Sequence, residues 1–462
     1  MLGGRSFPSE GPAFSIRVVN CVTSMLMSIL LRRAFASKWM IPALTVFVAL
    51  VVRLWFIHRW PDAYQFDAYQ RWAGREHLYI QVWLPATQVA VWLTAKVGGT
   101  MMTVRYVFAA WSAITLGMGS ILCAQLAGRR GAWFFLPMAV FGPFIVWSTV
   151  PYQETTLLFF LFSALVIGRK YPKAGDVVMG ALAFVRYEGW PLIIVHCLLR
   201  RTWTSLLALW GMATWGAIKW LDLMTPYASS PDSFADWNDI GDSLNAADIV
   251  RLFRRLWVMI ESAGTAWIVV SAVAFLIVRR RSLQREHWML LIAFAGQCAA
   301  TIGWLLSLGV AFSRMTVLPS LFMGVLMACA YAYAWDKTSR NLRVASIVSL
   351  VLLSAWTLRD AKIDQRHLSK VTRWDRRLVR TINKCPEDTW AIVPRQHGGP
   401  RKRHDACEVV QGLTSLIAGR DFDCTTWSWG GPEATLKASW NKEKKKYNIV
   451  RLSGVRSEQC PY

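Results

Sequence analysis

Residues 39–57, WMIPALTVFVALVVRLWFI, run almost wholly apolar and then break into His58-Arg59-Trp60-Pro61-Asp62-Ala63-Tyr64-Gln65-Phe66-Asp67-Ala68-Tyr69. The run is long enough for one helix to cross the hydrocarbon core, so the break sets two carboxylates immediately beyond a membrane-spanning helix. A carboxylate held near hydrocarbon is costly and marks a functional site by default, which makes Asp62 and Asp67 the first candidates.

Composition agrees with that setting. Hydrophobic residues make up 54% of the 462, charged residues 17%, and the mean hydropathy is +0.31, as expected for a multi-pass membrane protein. The 26 tryptophans suit headgroup belts and core packing. A formal charge of +24 raises the question of nucleic acid. The basic residues fall in short clusters between apolar runs, as cytoplasmic loops facing anionic lipid do, so membrane lipids rather than nucleic acid are the expected partners.

Placing the Lys/Arg clusters inside turns the apolar runs into a topology. Residues 1–38 form a cytoplasmic, amphipathic or signal-like lead-in. The helix over 39–57 runs outward, and the external loop 58–103 contains an interfacial segment near 82–97. A crossing over 104–127 returns to Arg129 and Arg130. Residues 132–150 run outward to Pro151-Tyr152-Gln153-Glu154, and 155–167 run inward. About 24 residues over 176–199 lie between basic clusters, too few for two full crossings at about 1.5 Å per residue. A re-entrant pair turning near Arg186-Tyr187-Glu188-Gly189 keeps every basic loop inside. Residues 203–221 exit, the acidic loop 222–248 lies outside, 256–278 enter, 288–312 exit, 317–335 enter and 344–358 exit. The expected fold is an all-α polytopic bundle of about ten or eleven full or half crossings over 39–358, with its acidic loops external.

Residues 359–462 differ in character, with short strand-like runs such as 390–393 and 447–452 between Gly and Pro turns, and read as a small extracytoplasmic α/β domain. Cys385, Cys407, Cys424 and Cys460 fall there and allow up to two disulfides in any of three connectivities. Zinc is the competing reading, without a CxxC pair to support it.

Several local patterns, in order, resemble the GT-C glycosyltransferases, polytopic enzymes that take a sugar from a polyprenyl-phosphate carrier. Phe66-Asp67-Ala68-Tyr69-Gln70-Arg71-Trp72-Ala73 is similar to the acidic motif of the first external loop, and Val82-Trp83-Leu84-Pro85 to the interfacial helix after it. Arg105 has the position of the helix-start arginine. Val150-Pro151-Tyr152-Gln153-Glu154 resembles the second acidic motif. Phe184-Val185-Arg186-Tyr187-Glu188-Gly189-Trp190 resembles an element of the mannosyltransferase-like branch, and Ser313-Arg314-Met315-Thr316-Val317-Leu318-Pro319 a late Arg-Tyr-hydrophobic-Pro element, with Met315 in the aromatic position. The resemblance spans most of 39–335. It implies transfer of a hexose, with mannose favoured, from a lipid-linked donor to a glycan, lipid or protein acceptor, in a bacterial plasma membrane or, alternatively, the endoplasmic reticulum membrane. Tyr69, Tyr187 and Trp83 join the substrate-binding candidates on these motifs.

The residues also make chemical sense alone, because glycosyl transfer to a hydroxyl needs a base at the acceptor and cations near the departing phosphate. Asp67 is the candidate base, with helix capping as its structural alternative. Asp62 doubles as a turn residue, and Glu154 as a carboxylate favoured by a helix N-terminus. Arg186 and Arg314 are candidate phosphate partners, with Glu188 holding Arg186; a plain ion pair and a snorkelling arginine are the rival readings. No protein metal site is assigned, and whether a divalent cation assists the carboxylates stays open. A secondary transporter, which would be expected to show two related halves, and a non-catalytic membrane scaffold are the other classes.

Overall fold

Long apolar runs with proline only in the first turn become long helices, and the run with Pro137 and Pro143 in its interior becomes short pieces. In the computed structural model of the chain, the described residues are 39–61, 84–220, 265–279, 282–308 and 313–371, isolated positions between 63 and 78, and four strands between 391 and 451. At 219–220, 265–267, 303–308, 313–314 and beyond 363 only the course of the backbone is described. The lead-in 1–38 and the acidic loop 222–248 lie outside the described residues.

Helix α1 (Met40–Arg59) packs along α3 (Met101–Phe135). The contact is close because Gly117 faces it, where an added Cβ would lie 2.5 Å from Val46 Cγ2. Thr45 closes the seam by donating to Ile41 O at 2.9 Å and approaching Ser120 Oγ at 3.4 Å. Between them, α2 (Pro85–Lys96) starts on a proline whose missing N–H is one of the unpaired donors of a first turn. A Thr100–Thr103 capping box opens α3. That helix loses helical geometry at Ala127 and at Gly128, whose φ of 69° suits glycine, so the expected crossing over 104–127 ends just before Arg129.

The expected outward run over 132–150 is present but broken, lying back along α3 from Gly131 beside Cys123 to Thr149 beside Arg105. Instead of one helix the structure has the end of α3, a 3-10 turn (Leu136–Val140) and α4 (Gly142–Ser148). Pro137 and Pro143 remove backbone donors within this stretch, and Phe141 is extended. The chain then bends by 109° into α5 (Gln153–Lys170).

The expectation of a re-entrant pair matches the backbone. Helix α6 (Pro172–Gly180), a 3-10 turn (Ala181–Phe184) and α7 (Gly189–Arg200) form a hairpin, each helix far shorter than the roughly 20 residues of a full crossing. Its two ends lie together: His196 Nε2 is 2.8 Å from Asp176 Oδ1, Arg200 pairs with the same carboxylate, and Arg200 donates to Pro172 O at 2.8 Å. A 3-10 turn (Trp203–Leu209) and α8 (Trp210–Trp220) follow.

Helices α9 (Thr265–Arg279) and α10 (Arg285–Leu308) flank α11 (Val317–Trp335), the most enclosed of the long helices. The last helix, α12 (Arg340–Val371), lies on the rim with Val351, Leu352 and Trp356 exposed, and meets the bundle where Thr357 and Ala361 press on Gly142. Among the described residues, the stretches Met40–Arg59, Met101–Val140, Val317–Trp335 and Arg340–Ile363 are long and apolar enough to cross a membrane. Basic helix ends gather at one end of this bundle. Arg130 pairs with Asp336, Arg169 with Gln284 at 2.7 Å and Glu286 at 3.4 Å, and the Arg279 guanidinium lies 4.1 Å from the centre of the Tyr333 ring.

Beyond 390 the strands β1 (Ala391–Val393), β2 (Cys424–Thr426), β3 (Leu436–Asn441) and β4 (Lys446–Arg451) form one sheet in the order β2-β1-β3-β4. β1 is parallel to β2 and β3, while β3 and β4 are antiparallel with Trp440 opposite Tyr447. Cys424 opens β2, and Cys385, Cys407 and Cys460 lie outside the described residues.

Candidate functional site

Three of the motif residues converge. Glu154 is the second residue of α5, where a carboxylate is favoured by the helix dipole. Arg186 and Glu188 stand at the tip of the α6–α7 hairpin. The tip is tight because Gly189 backs onto the preceding 3-10 turn, where a Cβ would come within 2.7 Å of Leu182 O. Arg186 forks onto Glu188 through Nη2 (2.6 Å to Oε1) and Nε (3.1 Å to Oε2), and its Nη1 donates to Glu154 Oε1 at 2.5 Å. One guanidinium thus bridges two carboxylates from elements more than thirty residues apart in sequence.

The bridge grades from dry to wet. The Glu154 side chain is 5% exposed, that of Arg186 18% and that of Glu188 27%. Glu154 Oε2 is buried and accepts no hydrogen bond from the described residues, although a buried carboxylate oxygen ordinarily has a partner. Tyr187 is half exposed beside the bridge and stacks edge-on to Trp190 at 5.6 Å. Trp190 is fixed in turn by its indole N–H, which donates to Ala183 O at 3.1 Å.

The interfacial motif docks onto the same place. Leu84, next to Trp83, is buried with Trp215 against Phe184, Trp190 and Ile218. One turn into α2, Thr87 Oγ1 lies 3.2 Å from Thr156 Oγ1 on the first turn of α5. Gln88 donates to Arg71 O (3.0 Å) and Gly74 O (3.1 Å), holding the end of the first loop. Arg71 is itself buried, as are Ala63 and Ala68, the residues after Asp62 and Asp67.

Asp62, Asp67, Tyr69 and Trp83 lie outside the described residues. Arg314 is described only by its backbone, in a 3-10 turn (Ser313–Thr316) that packs against α4. Among the described residues no group of three or more His, Cys, Asp or Glu side chains is arranged to hold a metal.

Sequence reading passed over Arg53 and gave Arg105 no task. Arg53 is a lone charge within the first apolar run, and that alone was a signal. Both side chains are fully buried. Thr149, Thr87 and Gln88 carried no signal, since their importance lies in the partners the fold supplies.

Helical layout and broken segments together define a polytopic helical membrane protein, and its fold is similar to that of a solved membrane-protein structure. The solved structures similar to it include ArnT from Cupriavidus metallidurans in the apo state, with a TM-score of 0.54 at 13% identity over 83% of this chain and 85% of that one. An oligosaccharyltransferase from Archaeoglobus fulgidus, in complex with Zn and sulfate, aligns with a TM-score of 0.43 at 12% identity over 83% of this chain and 62% of its own length. No protein-family model and no curated protein sequence matches the chain.

Proposed function

We propose that the chain is a membrane glycosyltransferase that moves a hexose, mannose being favoured by the Arg186–Trp190 motif, from a polyprenyl-phosphate carrier to an acceptor hydroxyl. The observation that carries this reading is the Glu154–Arg186–Glu188 bridge within a GT-C fold. It lies at the start of α5, about 22 Å from Arg169 near the other end of that 18-residue helix at 1.5 Å per residue. The basic helix ends gather at the Arg169 end, and positive charge inside supports a bridge on the external or lumenal side.

In the reaction, the Asp67 carboxylate takes the acceptor O–H proton as that oxygen bonds to the anomeric carbon. The bond from that carbon to the carrier phosphate breaks, its electron pair leaves with the polyprenyl phosphate, and the anomeric centre inverts. Arg314 meets the charge growing on the phosphate, and Arg186, held between two carboxylates, aligns Glu154 with the donor. Glu154 Oε2 is the acceptor atom left for a substrate hydroxyl. Asp62 supports the base, and Tyr69, Tyr187 and Trp83 border the sugar. Residues 359–462 are read as a separate extracytoplasmic domain. A glycan, lipid or protein acceptor fits this chemistry equally.

Proteoliposomes with polyprenyl-phosphate mannose as the probe test the reading. Carrier-dependent transfer that falls by about 10² to 10⁴ in Asp67→Asn supports it. Solute flux that survives the substitution, without transfer in the parent protein, replaces it with a transporter. Loss of transfer on chelation, restored by added cation, assigns a divalent ion to the carboxylates.

A further inference from the structure

Arg53 and Arg105 are enclosed at 0% exposure and take no part in the bond-making above. A guanidinium inside a membrane bundle is expensive unless its N–H groups find acceptors, so each placement has a structural reason. Arg53 donates Nε–H to Ser148 Oγ at 2.9 Å and Nη1–H to Ala49 O and Ala139 O, both at 3.1 Å, with its guanidinium 5.0 Å from the Phe144 ring centre. Arg105 donates Nε–H to Thr149 O at 3.3 Å and Nη2–H to Thr149 Oγ1 at 3.4 Å, while Nη1 reaches Trp60 O at 2.8 Å and Pro61 O at 2.6 Å.

Apart from the Arg53 bond to Ala49 O within α1, these donors land where helices stop. Ala139 and Thr149 lie in the broken segment 136–152, whose carbonyls lack continuous helical partners, and Ser148 ends α4. Irregular backbone at membrane depth persists only where buried groups satisfy it. Arg105 does more than satisfy it. From one guanidinium it holds the peptides just before Asp62 and the residue two before Pro151, which leads to Glu154.

We propose that Arg53 and Arg105 are positioning residues for this site: the pair fixes the broken segment, and Arg105 sets the spacing between the loop bearing Asp62 and Asp67 and the turn that delivers Glu154. The proposal rests on reading these two acidic elements as one active site. It predicts a coupling between segments about ninety residues apart, which a side chain that merely fills space would not produce.

Hydrogen exchange on the full chain in nanodiscs reads the coupling directly, using the amides of Ala63, bonded to Trp60 O, and Tyr152, bonded to Val150 O. Arg105→Gln should speed exchange in both segments together by roughly ten- to a hundredfold, the loss of one charge-assisted hydrogen bond, while α11 keeps its protection. Arg105→Lys retains the buried charge but not the planar fork, and should move the same two segments less. Arg53→Met should deprotect 139–152 and leave 60–63 unchanged. In the transfer assay, kcat per folded protein should fall in the Arg105 variants while donor KM holds. Deprotection of only one segment in both Arg105 variants, or uniform loss across all helices, overturns the proposal. Exchange needs no substrate, so failure to detect glycosyl transfer would sink the enzymatic reading and leave this result to decide the clamp.

Discussion

Arg186→Met should destabilise the protein much more than Glu188→Gln, although both substitutions break the same fork. Arg186 is the described partner of Glu154, whose side chain is 5% exposed and whose Oε2 already accepts nothing from the described residues. Removing the guanidinium strands a buried carboxylate, at a cost of about 3–5 kcal/mol. Glu188 is 27% exposed, so its loss leaves Arg186 paired with Glu154 and partly hydrated, a cost nearer 1 kcal/mol. A double-mutant cycle decides the matter. Glu154→Gln combined with Arg186→Met removes the stranded charge and should recover about 2 kcal/mol or more of the stability lost in Arg186→Met, without recovering transfer. Denaturant unfolding in mixed micelles, on folded fractions matched by gel filtration, gives the three differences. If Arg186→Met is no less stable than Glu188→Gln, or if Glu154→Gln rescues nothing, the buried bridge is not what holds the hairpin tip to α5.

Arg314→Ala should weaken use of the lipid-linked donor while leaving the unfolding midpoint close to that of the parent; equal losses of folded protein and activity would make it structural. Gly142→Val should loosen α12, because even a Cβ there would lie 1.7 Å from Thr357 O. The expected cost is about 1–3 kcal/mol, checked by unfolding and by faster proteolysis near residue 357. Mass-resolved alkylation of the untreated protein should leave Cys385, Cys407, Cys424 and Cys460 blocked if they are paired. Four freely alkylated thiols would reject that pairing.

The legible parts of the fold were those written in one dimension. Residues 39–57, apolar but for Arg53, and 317–335 are long hydrophobic runs, and each is a helix within a few residues of its expected ends. The short interval at 176–199 announced a hairpin because chain length bounds what can cross, and α6 and α7 obey that bound. Residues 132–150 run back along α3 as their hydropathy implies, but Pro137 and Pro143 divide them into short pieces. The break is tolerated inside the bundle because Arg53 and Arg105 donate to Ala139 O and Thr149 O. Neither arginine is adjacent in sequence to the carbonyls it satisfies.

Sequence alone determined that this is a multi-pass helical membrane protein, that its basic helix ends and its acidic motifs segregate along the chain, and that Glu154, Arg186 and Glu188 were worth attention. Those properties follow from local hydropathy, charge and spacing. Tertiary structure decided that one guanidinium joins both glutamates, that Gln88 and Leu84 fasten the interfacial helix to the same corner, and that a buried arginine ties two distant loop bases together. Such facts depend on directional bonds between groups far apart in sequence, whose energies come from burial and geometry that only the packed bundle creates.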